Sequence, residues 1–122
     1  MYMTAAEMRT LREALGLPAT WLASQARVQE RTVRHWESGR NAVPADVSAM
    51  LRRIDSAFDA SAMEAVRQYA DAALTTAGAP QEVVLLRYRT DEDLWRSLPD
   101  MRPLPATAHA AMLHRTWTAL PA

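Results

Sequence analysis

Residues 16–39 read GLPATWLASQARVQERTVRHWESG, and the fold turns on this stretch. Gly16 ends one helix and Pro18 opens the next, because proline's fixed φ and missing N–H suit a first helical position. That second helix carries Trp21, Leu22, Ala23 and Ala26. A short break at Arg27-Val28 leads into a third helix over about 29–37, which Ser38-Gly39 stops. Two short helices that cross closely need a small residue at the contact, and Ala23 supplies it. They also need an apolar seam, given by Leu22, Ala26, Val28, Val33 and Trp36. At about 100° per residue, with Val33 and Trp36 inward, the outward direction falls on Arg31, Arg34, His35 and Ser38.

Upstream, Thr4 and Glu7 form a capping box, and Met8, Leu11 and Leu15 follow at helical spacing in a first helix over about 5–15. Downstream, Asn41 to Val43 form a loop and Pro44 opens a fourth helix. No Gly or Pro then occurs until Gly78, and Val47, Met50, Leu51, Ile54, Phe58, Ala65 and Tyr69 recur at threes and fours. This is one long helix, or two with a bend near 55–61. Gly78-Ala79-Pro80 marks a boundary. Val83 to Arg89 is β-branched and aromatic enough to read as a strand. Asp91 to Leu98 reads as a short capped helix carrying Leu94 and Trp95, residues 99–105 as an extended proline-bracketed linker, and Ala106 to Leu120 as a last helix. A single strand needs a partner for its backbone groups. Residues 101–104 are a poor one because of Pro103. The same strand of a second copy is the other solution, which places Val84, Leu86, Tyr88 and Trp95 at a dimer interface.

The formal net charge is zero, but its distribution is uneven. Residues 1–54 carry eight Arg against five acids, and residues 55–122 carry six Arg against nine. Four of the first eight fall within 27–40, opposed only by Glu30 and Glu37. Local potential steers a polyanion, so the asymmetry favours nucleic acid. Two arginines and a histidine on the solvent side of a half-apolar helix also suit base edges, since arginine reads guanine bidentately.

Other classes find little support. There are no cysteines, hence no disulfides and no thiolate zinc site. No apolar run approaches the ~20 residues of a membrane span, and the N-terminus lacks a signal-peptide pattern. A soluble, cytoplasmic protein is expected. His35, His109 and His114 share no metal-ligand spacing, and no serine stands in a nucleophile-elbow context. The Asp91-Glu92-Asp93 cluster is explained by its place at a helix N-terminus. No enzyme, no metal and no cofactor is expected.

The run Thr32-Val33-Arg34-His35-Trp36-Glu37-Ser38-Gly39 resembles the Cro and lambda-repressor type (XRE-like) of helix-turn-helix, over about residues 5–54. The resemblance implies that Gln29 starts the recognition helix and that Gln29, Glu30, Arg31, Arg34 and His35 face bases. It implies phosphate contacts from Thr20, Arg27, Ser38, Arg40 and Asn41, with Ala19 nearby, and a structural ion pair between Arg12 and Glu37. Leu22, Ala23, Val28, Val33 and Trp36 form the motif's core. Two departures stand out: Arg27 occupies a turn position where the family places Gly, and Ala19 one where it favours Gln. Residues 36–47 further resemble the anti-CRISPR-associated autorepressors and their uncharacterised bacterial relatives. That likeness implies a homodimer on an inverted repeat in a promoter, often its own.

The expected architecture is mainly α. A five-helix-type helix-turn-helix module over 1–54 precedes a small α+β dimerisation region over 55–122, built from the long helix, one strand and the C-terminal helices. The expected partners are double-stranded DNA and a second copy. The competing readings are an antitoxin-like interaction module, motivated by the acidic second half with Trp95 and Trp117, and an RNA-binding regulator.

Overall fold

A computed structural model describes residues 2–75, 78 and 82–121. It contains α1 (Ala5–Ala14), α2 (Ala19–Ala26), α3 (Glu30–Glu37), α4 (Ala45–Ala73), α5 (Asp91–Ser97), a 3-10 turn (Pro99–Met101) and α6 (Ala106–Ala119). Local chemistry sets the boundaries. The Thr4 hydroxyl accepts from the Glu7 N–H at 3.1 Å and starts α1, and the Thr90 hydroxyl does the same for Asp93 and α5. Gly16 and Gly39 take positive φ where the chain leaves α1 and α3.

The long apolar pattern after Pro44 is one unbroken helix of 29 residues, about 44 Å long at 1.5 Å per residue. It is the spine of the molecule. Its first half closes the core formed by Met8, Leu15, Leu17, Leu22, Val33 and Trp36 through Val47 and Leu51. Phe58, two turns further on, belongs to the same core, as does Ala108 of α6. The helix thus runs through residue 54 without interruption, and the core continues across that position. Arg115 fastens α6 to α4: its Nη1 donates to the carboxylates of Asp55 and Asp59 and to the Asp55 carbonyl, each at 2.9 Å. Its guanidinium also lies 5.4 Å from the Phe58 ring centroid.

The α+β expectation is overturned. The described residues form six α-helices and a 3-10 turn, with no strand or sheet among them. Residues 83–89 are extended, as their β-branched composition favours, but no described backbone group pairs with theirs. Residues 101–104, which might have partnered them, follow the 3-10 turn that Met101 ends and close a further tight turn through Leu104 N–H to Met101 O at 2.8 Å. Extended conformation is a local preference, whereas a ladder needs a second strand. Val83 and Leu85 instead lie over a groove between α4 and α6, lined by Ala65, Tyr69, Thr116 and Leu120.

His109 packs under the end of this segment, edge-on to Tyr88 with ring centroids 5.4 Å apart. It is 3 % exposed, and its Nδ1 makes no hydrogen bond within the protein. Burial holds its pKa below the ordinary value of 6.5, because desolvation disfavours the imidazolium. The unfolded chain therefore takes up a proton more readily than the folded one. The contribution of neutral His109 is complete above about pH 6.5 and is lost as the pH falls toward the lower folded value. Melting curves between pH 7.5 and 5 should show a steeper fall of Tm for the wild type than for His109→Leu. Parallel curves would remove His109 as the cause.

Candidate nucleic-acid interface

In α3, Val33 and Trp36 are buried at 0 % and 5 % exposure, so the opposite face must meet solvent. Arg31 and Arg34 stand on it exposed, with Glu30 and His35 half-buried beside them. Arg34 Nη2 pairs with Glu30 Oε1 at 2.6 Å, an i,i+4 contact along the helix. Arg31 Nη2 donates a long hydrogen bond to Gln29 Oε1 at 3.4 Å. The guanidiniums are thus braced by their own helix while remaining open to a ligand. The exposed pair adds little to stability, but it orients Arg34.

The loop after α3 folds back on that helix. The Ser38 hydroxyl donates to the His35 carbonyl at 3.2 Å, and the Arg40 N–H donates to the Ser38 oxygen at 3.4 Å. The Asn41 N–H reaches the same His35 carbonyl at 3.1 Å. Ser38, Arg40 and Asn41 are thereby held together at one end of the reading helix, all exposed.

Behind this face, Arg12 Nε donates to Glu37 Oε1 at 2.7 Å, with both side chains close to nine-tenths buried. Arg12 Nη1 also donates to the Leu17 carbonyl at 2.8 Å. One guanidinium therefore joins α1, the α1–α2 turn and the end of α3, and fixes the tilt at which α3 is presented.

A cleft of about 400 Å³ opens beside it, lined by Arg9, Arg12, Ala19, Glu30, Arg34, Glu37 and Ser38. Thr20, exposed, follows Ala19. Arg27 sits at the other end of α2, about 12 Å along the helix, so the cleft gathers Ser38 and the start of α2 but not Arg27. The cleft also adds Arg9, which the sequence reading passed over. Arg9 is fully exposed and bonds Glu13 at 2.9 Å, which raises its pKa and holds that of Glu13 below the ordinary carboxylate range. Its signal in the sequence is its place one turn before Arg12 on α1.

Arg27 adopts φ 59° and ψ 44°, the left-handed conformation that glycine provides without cost. The geometry of the turn is kept, with the Val28 N–H bonding the Ala23 carbonyl at 3.0 Å. An L-residue there costs about 1–2 kcal/mol. Arg27→Gly should therefore raise stability, by up to about 1 kcal/mol after glycine's extra unfolded-state entropy, as read from urea unfolding.

Of the residues assigned to a dimer interface, Val84 and Leu86 are 68 % and 66 % exposed. Tyr88 is half-buried against His109. Trp95 donates to the Leu104 carbonyl at 2.8 Å and carries the Arg102 guanidinium 5.0 Å above its ring. No cluster of three His, Asp or Glu side chains suited to a metal ion occurs among the described residues.

Residues 5–84 match the model of a helix-turn-helix domain family, which spans well over half of the chain. No curated protein matches the chain.

Proposed function

The chain belongs to the helix-turn-helix domain family, and from that premise we propose that it is a non-catalytic, sequence-specific transcriptional repressor. The observation that carries this reading is the division of α3: Val33 and Trp36 buried, Arg31 and Arg34 outward, and the helix tied to α1 through Arg12 and Glu37. Helix α3 enters the major groove, where Arg31, Arg34 and His35 meet base edges. Gln29 and Glu30 stand at its start, and a carboxylate there can accept from a cytosine amino group. Thr20, Arg27, Ser38, Arg40 and Asn41, joined by Arg9, meet the backbone.

The protein acts in this reading as a homodimer on an inverted repeat, with half-sites about 34 Å apart. Exposed Val84 and Leu86 support a second copy as the partner of the C-terminal half. The resemblance of residues 36–47 suggests its own promoter, in an anti-CRISPR-type or phage operon. No helix among the described residues is long and apolar enough to cross a membrane, which fits the cytoplasmic site that such a role requires.

Footprinting on DNA upstream of its own gene tests the proposal. Protection of an inverted repeat is expected, and absence of protection at any concentration contradicts it. The antitoxin-like alternative draws on Trp117, 66 % exposed near the end of α6. The mass of the purified protein separates the two. A stable homodimer supports the repressor, whereas a monomer or a co-purifying second chain supports the alternative. Competition of duplex DNA against RNA for the same face tests an RNA-binding role.

A further inference from the structure

Six arginines follow residue 54, and they divide into two groups. Arg67, Arg96 and Arg115 have carboxylate partners in Glu64, Asp93, and Asp55 with Asp59. Arg87, Arg89 and Arg102 have none within ion-pair distance among the described residues. The unpaired three are exposed. They also belong to the part of the C-terminal half that is docked on the start of α2.

Two contacts make that docking specific. The Gly16 Cα lies so close to the first turn of α6 that an added Cβ would come within 2.8 Å of the Thr107 carbonyl carbon. Arg87 and Arg89 line a cleft of about 430 Å³ with Ala106 and that same Thr107. On the other side, Trp21 Nε1 donates to the carbonyl of Pro103 at 2.9 Å, and Pro103 directly follows Arg102. Gly16 and Trp21 bracket Ala19, which lines the reading-side cleft with Arg9 and Arg34. Gly16 is three residues from Ala19, a span of at most ~11 Å. Asp91, two residues after Arg89, is engaged elsewhere, accepting from the Ala106 N–H at 2.7 Å.

We propose that Arg87, Arg89 and Arg102 form a second phosphate-binding surface, so that the C-terminal half extends the DNA footprint beyond the helix-turn-helix. This rests on the DNA-binding reading above and adds a binding site to it. Duplex DNA carries a charge every ~1.7 Å of axis. A backbone that meets the start of α2 passes within a few residues of Gly16 and Trp21, the two points on which the segments bearing Arg102 and the Arg87–Arg89 cleft are docked. The contacts are to phosphate, so they add affinity and salt dependence without sequence preference. The Trp21 and Gly16 contacts hold the surface in fixed register with α3.

The test is the slope of log Kd against log[NaCl], measured with the full chain on a 30-bp duplex from its upstream region and on a random duplex of equal length. For Arg87→Ala/Arg89→Ala/Arg102→Ala the slope for the bound homodimer should become shallower by about 5, near 0.9 for each of the six arginines removed, on both duplexes. The corresponding triple Lys variant should keep the wild-type slope. The pair Arg87→Ala/Arg89→Ala, which leaves the Arg102–Trp95 contact intact, should make it shallower by about 3–4. Wild-type slopes in both alanine variants overturn the second surface while leaving the helix-turn-helix reader in place. A wild-type chain that binds neither duplex overturns the reader itself.

Discussion

Glu37→Ala is expected to destabilise the protein by about 3 kcal/mol, near the lower end of what breaking a buried ion pair costs. The substitution leaves the Arg12 guanidinium buried at 12 % exposure without its hydrogen-bonded carboxylate; the Leu17 carbonyl at 2.8 Å and the exposed Glu13 carboxylate at 3.9 Å remain. The penalty is the desolvation of a charge that has lost its buried partner. Because Arg12 ties α1, the α1–α2 turn and α3 together, the damage should spread to the presentation of the reading helix. Tm should fall by roughly 10–15 °C, and specific DNA binding should weaken although no DNA-facing side chain has changed. Glu37→Gln, which keeps an acceptor, should lose less. Glu13→Ala, which breaks the exposed pair with Arg9 and removes a carboxylate 3.9 Å from Arg12, should cost far less than Glu37→Ala. Equal Tm for Glu37→Ala and the wild type would show that the pair is not structural.

Gly16→Ala should be the second large effect, again about 3 kcal/mol or more. Gly16 has φ +68°, so an L-residue there costs about 1–2 kcal/mol before any contact is counted. The added Cβ would overlap the Thr107 carbonyl oxygen and lie 3.2 Å from the Ala108 Cα. Those atoms are backbone in the first turn of α6, so no side-chain rotation relieves the overlap. Either α6 moves off the α1–α2 turn or the turn deforms. Gly39→Ala is the matched comparison. Its φ is +80°, yet its nearest neighbour is the Ala5 Cβ at 3.9 Å, so only the left-handed cost applies. The difference between the two variants in urea unfolding measures the tight docking of α6. Equal losses would mean that α6 yields freely.

The helix ends are legible in the sequence because short-range chemistry sets them: the Thr4 hydroxyl, Gly16, Pro18, Gly39 and Pro44 each act within a few residues of themselves. The continuity of α4 through residues 55–61 is less so, because periodicity alone allows a bend there. What fixes it is Phe58 in the core and Arg115 holding Asp55 and Asp59, both tertiary facts. Residues 83–89 mislead for the converse reason. Their composition favours extended backbone, but strand formation depends on a partner that local sequence does not supply. The same limit applies at the site. Spacing places Arg31 and Arg34 on one face, since positions three apart on a helix are neighbours. That Glu30 can brace Arg34 is legible from their i,i+4 spacing, and a tryptophan at position 21 suits packing on the second half of the chain. That its partner is the Pro103 carbonyl, 82 residues away, and that Arg9 enters the cleft are tertiary facts. Arg27 is instructive in another way. The chain keeps the left-handed turn and accepts an unsuitable residue in it, because the closure of α2 against α3 fixes the backbone more strongly than one residue's preference.

In the proposed complex α3 reads bases with Arg31 and Arg34. The most direct test is the affinity of Arg31→Ala/Arg34→Ala for the duplex defined by footprinting, compared with a duplex of scrambled sequence. A loss of about 1–3 kcal/mol per arginine is expected on the specific duplex, together with a relaxed base preference. Arg40→Ala should instead weaken both duplexes alike. Unchanged affinity and preference in the folded double variant would contradict the claim.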